Sequence, residues 1–102
     1  MSIPQNITAE HIRNAAKEID KYGDIPLNRR SKKFVVRIDD KDYPPKYVVS
    51  QANAIVSGHE LAPDSFSGGH ETNTFLRERA FEIYSISTGR KVESELGEEI
   101  ED

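Results

Sequence analysis

The sequence predicts a small α+β domain with the element order α-β-β-α-α-β, and three observations carry that reading. Ile12, Ala15, Ala16 and Ile19 recur at helical spacing. Phe34-Val35-Val36-Arg37-Ile38 alternates like a half-buried strand and runs into the turn residues Asp39-Asp40-Lys41. Pro44-Pro45 and Gly68-Gly69 then punctuate the backbone ahead of two further helical stretches.

Each element follows from local chemistry. Thr8 is suited to cap a first helix ending near Tyr22, because its hydroxyl can accept from an otherwise orphaned amide. Glu10 suits the positive helix start, and Ile7 and Ile12 occupy the two positions of a hydrophobic staple. Gly23 stops this helix, and a loop held by Pro26 leads to a strand over residues 33–38. On that strand Phe34, Val36 and Ile38 share one face, and Val35 and Arg37 share the other. Asp42 and Tyr43 begin a short return strand that Pro44-Pro45 ends, since proline cannot donate to a ladder. Pro45 suits the first turn of the next helix, which runs to about Ser57 with Val48, Ala52, Ile55 and Val56 inward. Leu61 and Phe66 are expected to plug the core from a connector. A short helix over residues 70–79 carries Phe75 and Leu76, and a final strand spans residues 81–87. That strand is expected to pair with the hairpin, because an isolated hairpin is marginal.

The chain's 102 residues, 35% hydrophobic and 31% charged, fit one domain with a lean core. Residues 1–6 are expected to form a flexible N-terminus, residues 7–87 the domain, and residues 88–102 a disordered acidic tail. No apolar run approaches the about 20 residues that span a bilayer, so no membrane partner is expected. The N-terminus lacks the basic start and apolar stretch of a signal peptide, and cysteine is absent, which fits a cytoplasmic location. The net charge of −4 conceals segregation: residues 93–102 hold six carboxylates, and without them the count becomes +2. Arg29, Arg30, Lys32, Lys33, Arg37, Lys41 and Lys46 crowd into one stretch, opposed locally by Asp39, Asp40 and Asp42.

Five features invite a chemical reading. Arg29, Arg30, Lys32, Lys33 and Lys46 could contact phosphates and release counterions, or form a solvated loop and strand edge. Gly68 and Gly69, with Thr72 and Asn73, could cradle an anion at a helix start, or simply cap that helix. They are not a P-loop, because no Lys-Ser/Thr follows at the required spacing. Tyr43 and Tyr47 could stack on bases, or pack their rings at a rim. His59-Glu60 and His70-Glu71 lack His-Glu-x-x-His spacing, so no metal site or cofactor is expected. Asp39-Asp40-Lys41 contains an Asp-x-Lys fragment that a hairpin turn explains better, and no ββα nuclease motif is present. The chain is therefore expected not to be an enzyme.

Tyr43-Pro44-Pro45-Lys46-Tyr47-Val48, then Phe66-Ser67-Gly68-Gly69-x-x-Thr72-Asn73-x-Phe75-Leu76, then Phe81-x-Ile83 form a recognisable pattern. It resembles the N-terminal head domain of McrA-like HNH restriction endonucleases, over roughly residues 7–86. The resemblance implies a stand-alone, DNA-interacting accessory or recognition module. A nucleic-acid face would comprise Arg29, Arg30, Lys32, Lys33, Lys46, Tyr43, Tyr47, Gly68, Gly69 and Asn73. The alternative is a docking module for a nuclease or other defence protein, and a third reading is an antagonist whose tail imitates DNA. Ala80 departs from the pattern, which implies glycine before the last strand. A left-handed junction there disfavours alanine.

Overall fold

The computed structural model describes residues 3–23, 25, 30, 33–62, 66 and 69–92. Helix α1 (Ala9–Tyr22) precedes a hairpin of β1 (Phe34–Ile38) and β2 (Lys41–Tyr43). Helices α2 (Pro45–Ser57) and α3 (His70–Glu78) follow, then strands β3 (Glu82–Ser85) and β4 (Lys91–Val92). All strand pairs are antiparallel, in the order β2-β1-β3-β4.

The expected α+β architecture is the one observed, with one strand more. The two residues of β4 pair with β3, placing Val92 opposite Ile83 and burying it. The domain thus reaches past residue 87, and the segment expected as tail begins by closing the sheet. At the other terminus Ile3 is buried in the core. Residues 93–102 lie outside the described residues.

The first helix starts as its sequence directs. The His11 amide donates to the Thr8 hydroxyl at 3.3 Å, and the Thr8 amide donates to His11 Nδ1 at 3.0 Å. This is a reciprocal cap, with histidine in the place that glutamate usually fills. The Asp39-Asp40 turn has positive φ at both residues, 50° and 69°. That twist matches the strands of a two-residue hairpin.

The pleat divides the sheet into two faces. Val36, Ile38, Tyr43, Ile83 and Val92 are buried against the helices. A fully buried valine or isoleucine stabilises by about 1.5–3 kcal/mol relative to exposure. Helix α2 presents Val48, Val49 and Ala52 to this core. Ile55, expected inward, is 41% exposed instead, because Val49 and Asn53 occupy the buried stripe. The connector after α2 is tied down by side chains: Ser50 donates to the Leu61 carbonyl, and Asn53 Nδ2 donates to the His59 carbonyl at 3.1 Å. Phe66 is buried and Leu61 partly so, as expected of plugs.

Arg79 fastens the N-terminal segment to α3. Its Nε donates to the Ile7 carbonyl at 2.7 Å, its Nη1 to the Phe75 carbonyl at 3.0 Å, and its Nη2 to the Gln5 carbonyl at 3.3 Å. The guanidinium also lies over the Phe75 ring, 3.6 Å from its centroid.

Helix α3 ends in a tight left-handed junction. The Ala80 amide donates to the Arg77 carbonyl at 2.9 Å and the Phe81 amide to the Leu76 carbonyl at 3.1 Å. This is the paired-bond Schellman arrangement, which puts Ala80 at φ 72° where glycine is usual.

Two substitutions probe these ties. Ala80→Gly relieves the left-handed alanine and is expected to stabilise the fold by about 1 kcal/mol in urea unfolding. Arg79→Lys keeps the charge but loses the fork, and is expected to cost about 1–3 kcal/mol in the same measurement.

Candidate nucleic-acid interface

Helices cover one face of the sheet, and strand alternation sends Lys33, Val35, Arg37, Asp42, Glu82, Tyr84, Ile86 and Lys91 to the other. The register places Arg37 between Asp42 and Glu82, and Tyr84 between Val35 and Lys91. The Ile86 amide donates to the Lys33 carbonyl at 2.8 Å, continuing the β1–β3 ladder by one residue.

Arg37 organises the middle of this face. Its Nε and Nη2 donate to the two carboxylate oxygens of Asp42 at 2.8 and 3.2 Å. Its guanidinium lies 4.1 Å from the centroid of the Tyr84 ring. The Tyr84 hydroxyl donates to Glu82 at 2.9 Å, and Lys91 pairs with the other Glu82 oxygen at 3.4 Å. The hydrogen bond from Tyr84, then that from Lys91, hold the Glu82 carboxyl below its usual range. The same Tyr84–Glu82 bond raises the Tyr84 hydroxyl.

The two carboxylates on this face are therefore engaged with its own cations. Arg30 Nε donates to the Ile25 carbonyl at 3.3 Å, and among the described residues neither Arg30 nor Lys33 pairs with a carboxylate. Among the described residues, Arg30, Lys33, Arg37 and Lys91 against Asp42 and Glu82 give this face an excess of positive charge. At its Lys33–Ile86 end lies an open cavity of about 270 Å3, lined by Ile25, Arg30, Val35, Asp42, Pro44 and Ile86, with Gly23 and Tyr43.

The residues singled out from sequence are dispersed. Arg30 and Lys33 reach this face. Tyr43 does not stack outward: its ring is buried in the core and its hydroxyl donates to Asp20 Oδ2 at 2.8 Å. It sits opposite Val36, on the inward side of the pleat. Tyr47 is half-buried against the core. Lys46 Nζ donates to the Phe66 carbonyl at 2.8 Å and lies over the Phe66 ring at 4.7 Å, so it clamps the connector. Gly69 caps α3 with φ 62° and ψ −120°, a conformation open to glycine, and its carbonyl accepts from the Asn73 amide at 2.8 Å. Asn73 and Thr72 are fully buried, so their side chains face the core rather than an anion. Arg29, Lys32 and Gly68 lie outside the described residues.

The sequence reading missed Tyr84, Lys91 and Ile86. Alternation within Phe81-Glu82-Ile83-Tyr84 pointed Tyr84 outward, but Lys91 has no place on a face until β4 is known. Among the described residues no group of three or more His, Asp or Glu could hold a metal, and no helix is long and apolar enough to cross a membrane.

The family described as ScoMcrA-like, N-terminal head domain, matches residues 5–85. Neither a curated protein nor a solved structure matches the chain.

The Tyr43–Asp20 contact has a pH signature. Burial first, then the bond to Asp20, raises the Tyr43 hydroxyl well above the ordinary tyrosine value. A raised folded-state value means the contribution is complete below pH about 10 and is lost as pH rises beyond it. Thermal unfolding is expected to show that decline, and Tyr43→Phe to flatten most of it, with Tyr84 supplying the remainder.

Proposed function

The chain belongs to the ScoMcrA-like N-terminal head-domain family, and on that footing we propose that it is a non-enzymatic, cytoplasmic DNA-interacting recognition module. The observation that carries this reading is the sheet face that no described helix covers. Arg30, Lys33, Arg37 and Lys91 stand on or beside it, while Asp42 and Glu82 are held by partners within the face. Cations spread over a surface that no described helix covers suit the phosphate backbone, whose neutralisation releases counterions. The Arg37–Tyr84 stack adds a flat, polarisable element among them.

Lys46, Tyr43, Tyr47 and Asn73 support the reading indirectly, by holding the connector and the sheet in place. Phosphate contact falls to the β1 start and the sheet face. This differs from a face centred on the Tyr-Pro-Pro-Lys junction.

The test is anisotropy of labelled DNA at about 50 and 200 mM salt. Wild-type affinity is expected to fall steeply with salt. The triple variant Arg30→Gln, Lys33→Gln, Lys91→Gln is expected to weaken binding at least about tenfold. Its logarithmic salt slope should be shallower by about 0.9 for each duplex phosphate that the variant no longer neutralises. Arg37 is left intact, because removing it would strand Asp42. Unchanged affinity and slope in the variant would overturn the assignment of this face. Absence of binding by wild type at the lower salt would turn the search to a protein partner.

A further inference from the structure

We propose that the cavity at the Lys33–Ile86 end of the sheet seats one unstacked base of a single DNA strand, an inference that rests on the DNA reading above. The cavity borders the face of Arg37 and Tyr84: Val35, Asp42 and Ile86 line it from the outward side of the pleat, and Gly23 and Tyr43 from the helix side. A strand whose phosphates follow the cations of that face passes its mouth.

Size and chemistry select the occupant. At about 270 Å3 the cavity falls below the about 300–1,000 Å3 of drug-sized sites. It accommodates a single ring system better than a whole nucleotide. Ile25, Val35, Pro44 and Ile86 are aliphatic walls for the faces of a flat ring. Arg30 and Asp42 are the charged lining groups. Arg30 uses its Nε on the Ile25 carbonyl, which leaves its two Nη groups for an acceptor. Asp42 accepts two bonds from Arg37, and a carboxylate has about four acceptor sites, so it retains capacity for a donor.

One donor and one acceptor in an apolar slot match a base that presents an exocyclic amine beside a ring acceptor. Cytosine offers this edge and thymine does not, since its O4 would face the Asp42 carboxylate. The base must be unstacked to enter, which favours single strands over an intact duplex. Tyr22, next to the lining residue Gly23, is 75% exposed and supplies an aromatic surface for an adjoining base.

The experiment titrates the whole chain into labelled oligo-dC, oligo-dT and a duplex at about 50 mM salt, with two variants alongside. Wild type is expected to prefer oligo-dC to oligo-dT by about tenfold. Val35→Trp fills the cavity with a residue that strands tolerate, and should abolish that preference. Asp42→Asn replaces a pure acceptor by an amide, and should raise affinity for all three probes while levelling dC against dT. Equal binding of oligo-dC and oligo-dT by wild type overturns the inference, as does a preference that survives both variants. In either case duplex binding at wild-type strength leaves the DNA reading standing and removes only the cavity's role. No binding of any probe by wild type removes both.

Discussion

β1 lies between β2 and β3, and its pleat sends Val36 and Ile38 under the helices while Lys33, Val35 and Arg37 go to the bare face. Core and candidate interface are therefore two readings of one register. A slip by a single residue would exchange the two sets, placing Arg37 among Val48 and Leu76. Burial of apolar residues on the inner side thus fixes, without any further interaction, which cations the outer side displays. The outer contacts then refine what the register has placed: Arg37 meets Asp42 across β2 and Tyr84 diagonally across β3.

Charge on the outer face is arranged more by neutralisation than by number. Surface ion pairs contribute little to stability, commonly about 0–1 kcal/mol. The Arg37–Asp42 and Lys91–Glu82 pairs are better understood as occupying the carboxylates, so that an approaching phosphate meets Arg30 and Lys33 without close repulsion. Helix α1 contributes in the opposite sense. Its Asp20 is turned to Lys41 and Tyr43, so its charge bolts the helix to the return strand.

Most of the fold was legible because its signals are local. Thr8, Ile7 and Ile12 mark the first helix start, Gly23 its stop, and Asp39-Asp40 the hairpin. Ala80 stands in a left-handed position that the family pattern assigns to glycine, and the structure puts it at φ 72°. What escaped was set by tertiary context. The two residues of β4 are too short for any periodicity, and become a strand only because β3 offers an open edge. Ile55 has the character of a core residue, but α2 turns Val49 inward instead. Tyr43 follows the pleat into the core, where Asp20 satisfies its hydroxyl, so its nearness to the prolines in sequence said nothing about exposure. The candidate interface was legible only at Arg30 and Lys33. Its other members lie on strands joined by pairing, not by sequence proximity.

The positions of strain and of the cavity are related. β1 runs from Lys33 toward the turn, β2 returns to Pro44, and β3 starts beside Arg37 and ends at Ile86. Asp39, Asp40 and Ala80, the non-glycine residues with positive φ among the described residues, therefore gather at the hairpin end. Tight junctions there leave little freedom in how β2 and β3 meet β1. At the opposite end Ile25, Arg30, Pro44 and Ile86 line the cavity. The left-handed Ala80 can be tolerated in this setting because the two backbone bonds that close the α3 junction also aim β3 along β1. The strain then sits where geometry is fixed, away from the surface that would have to adjust to a ligand.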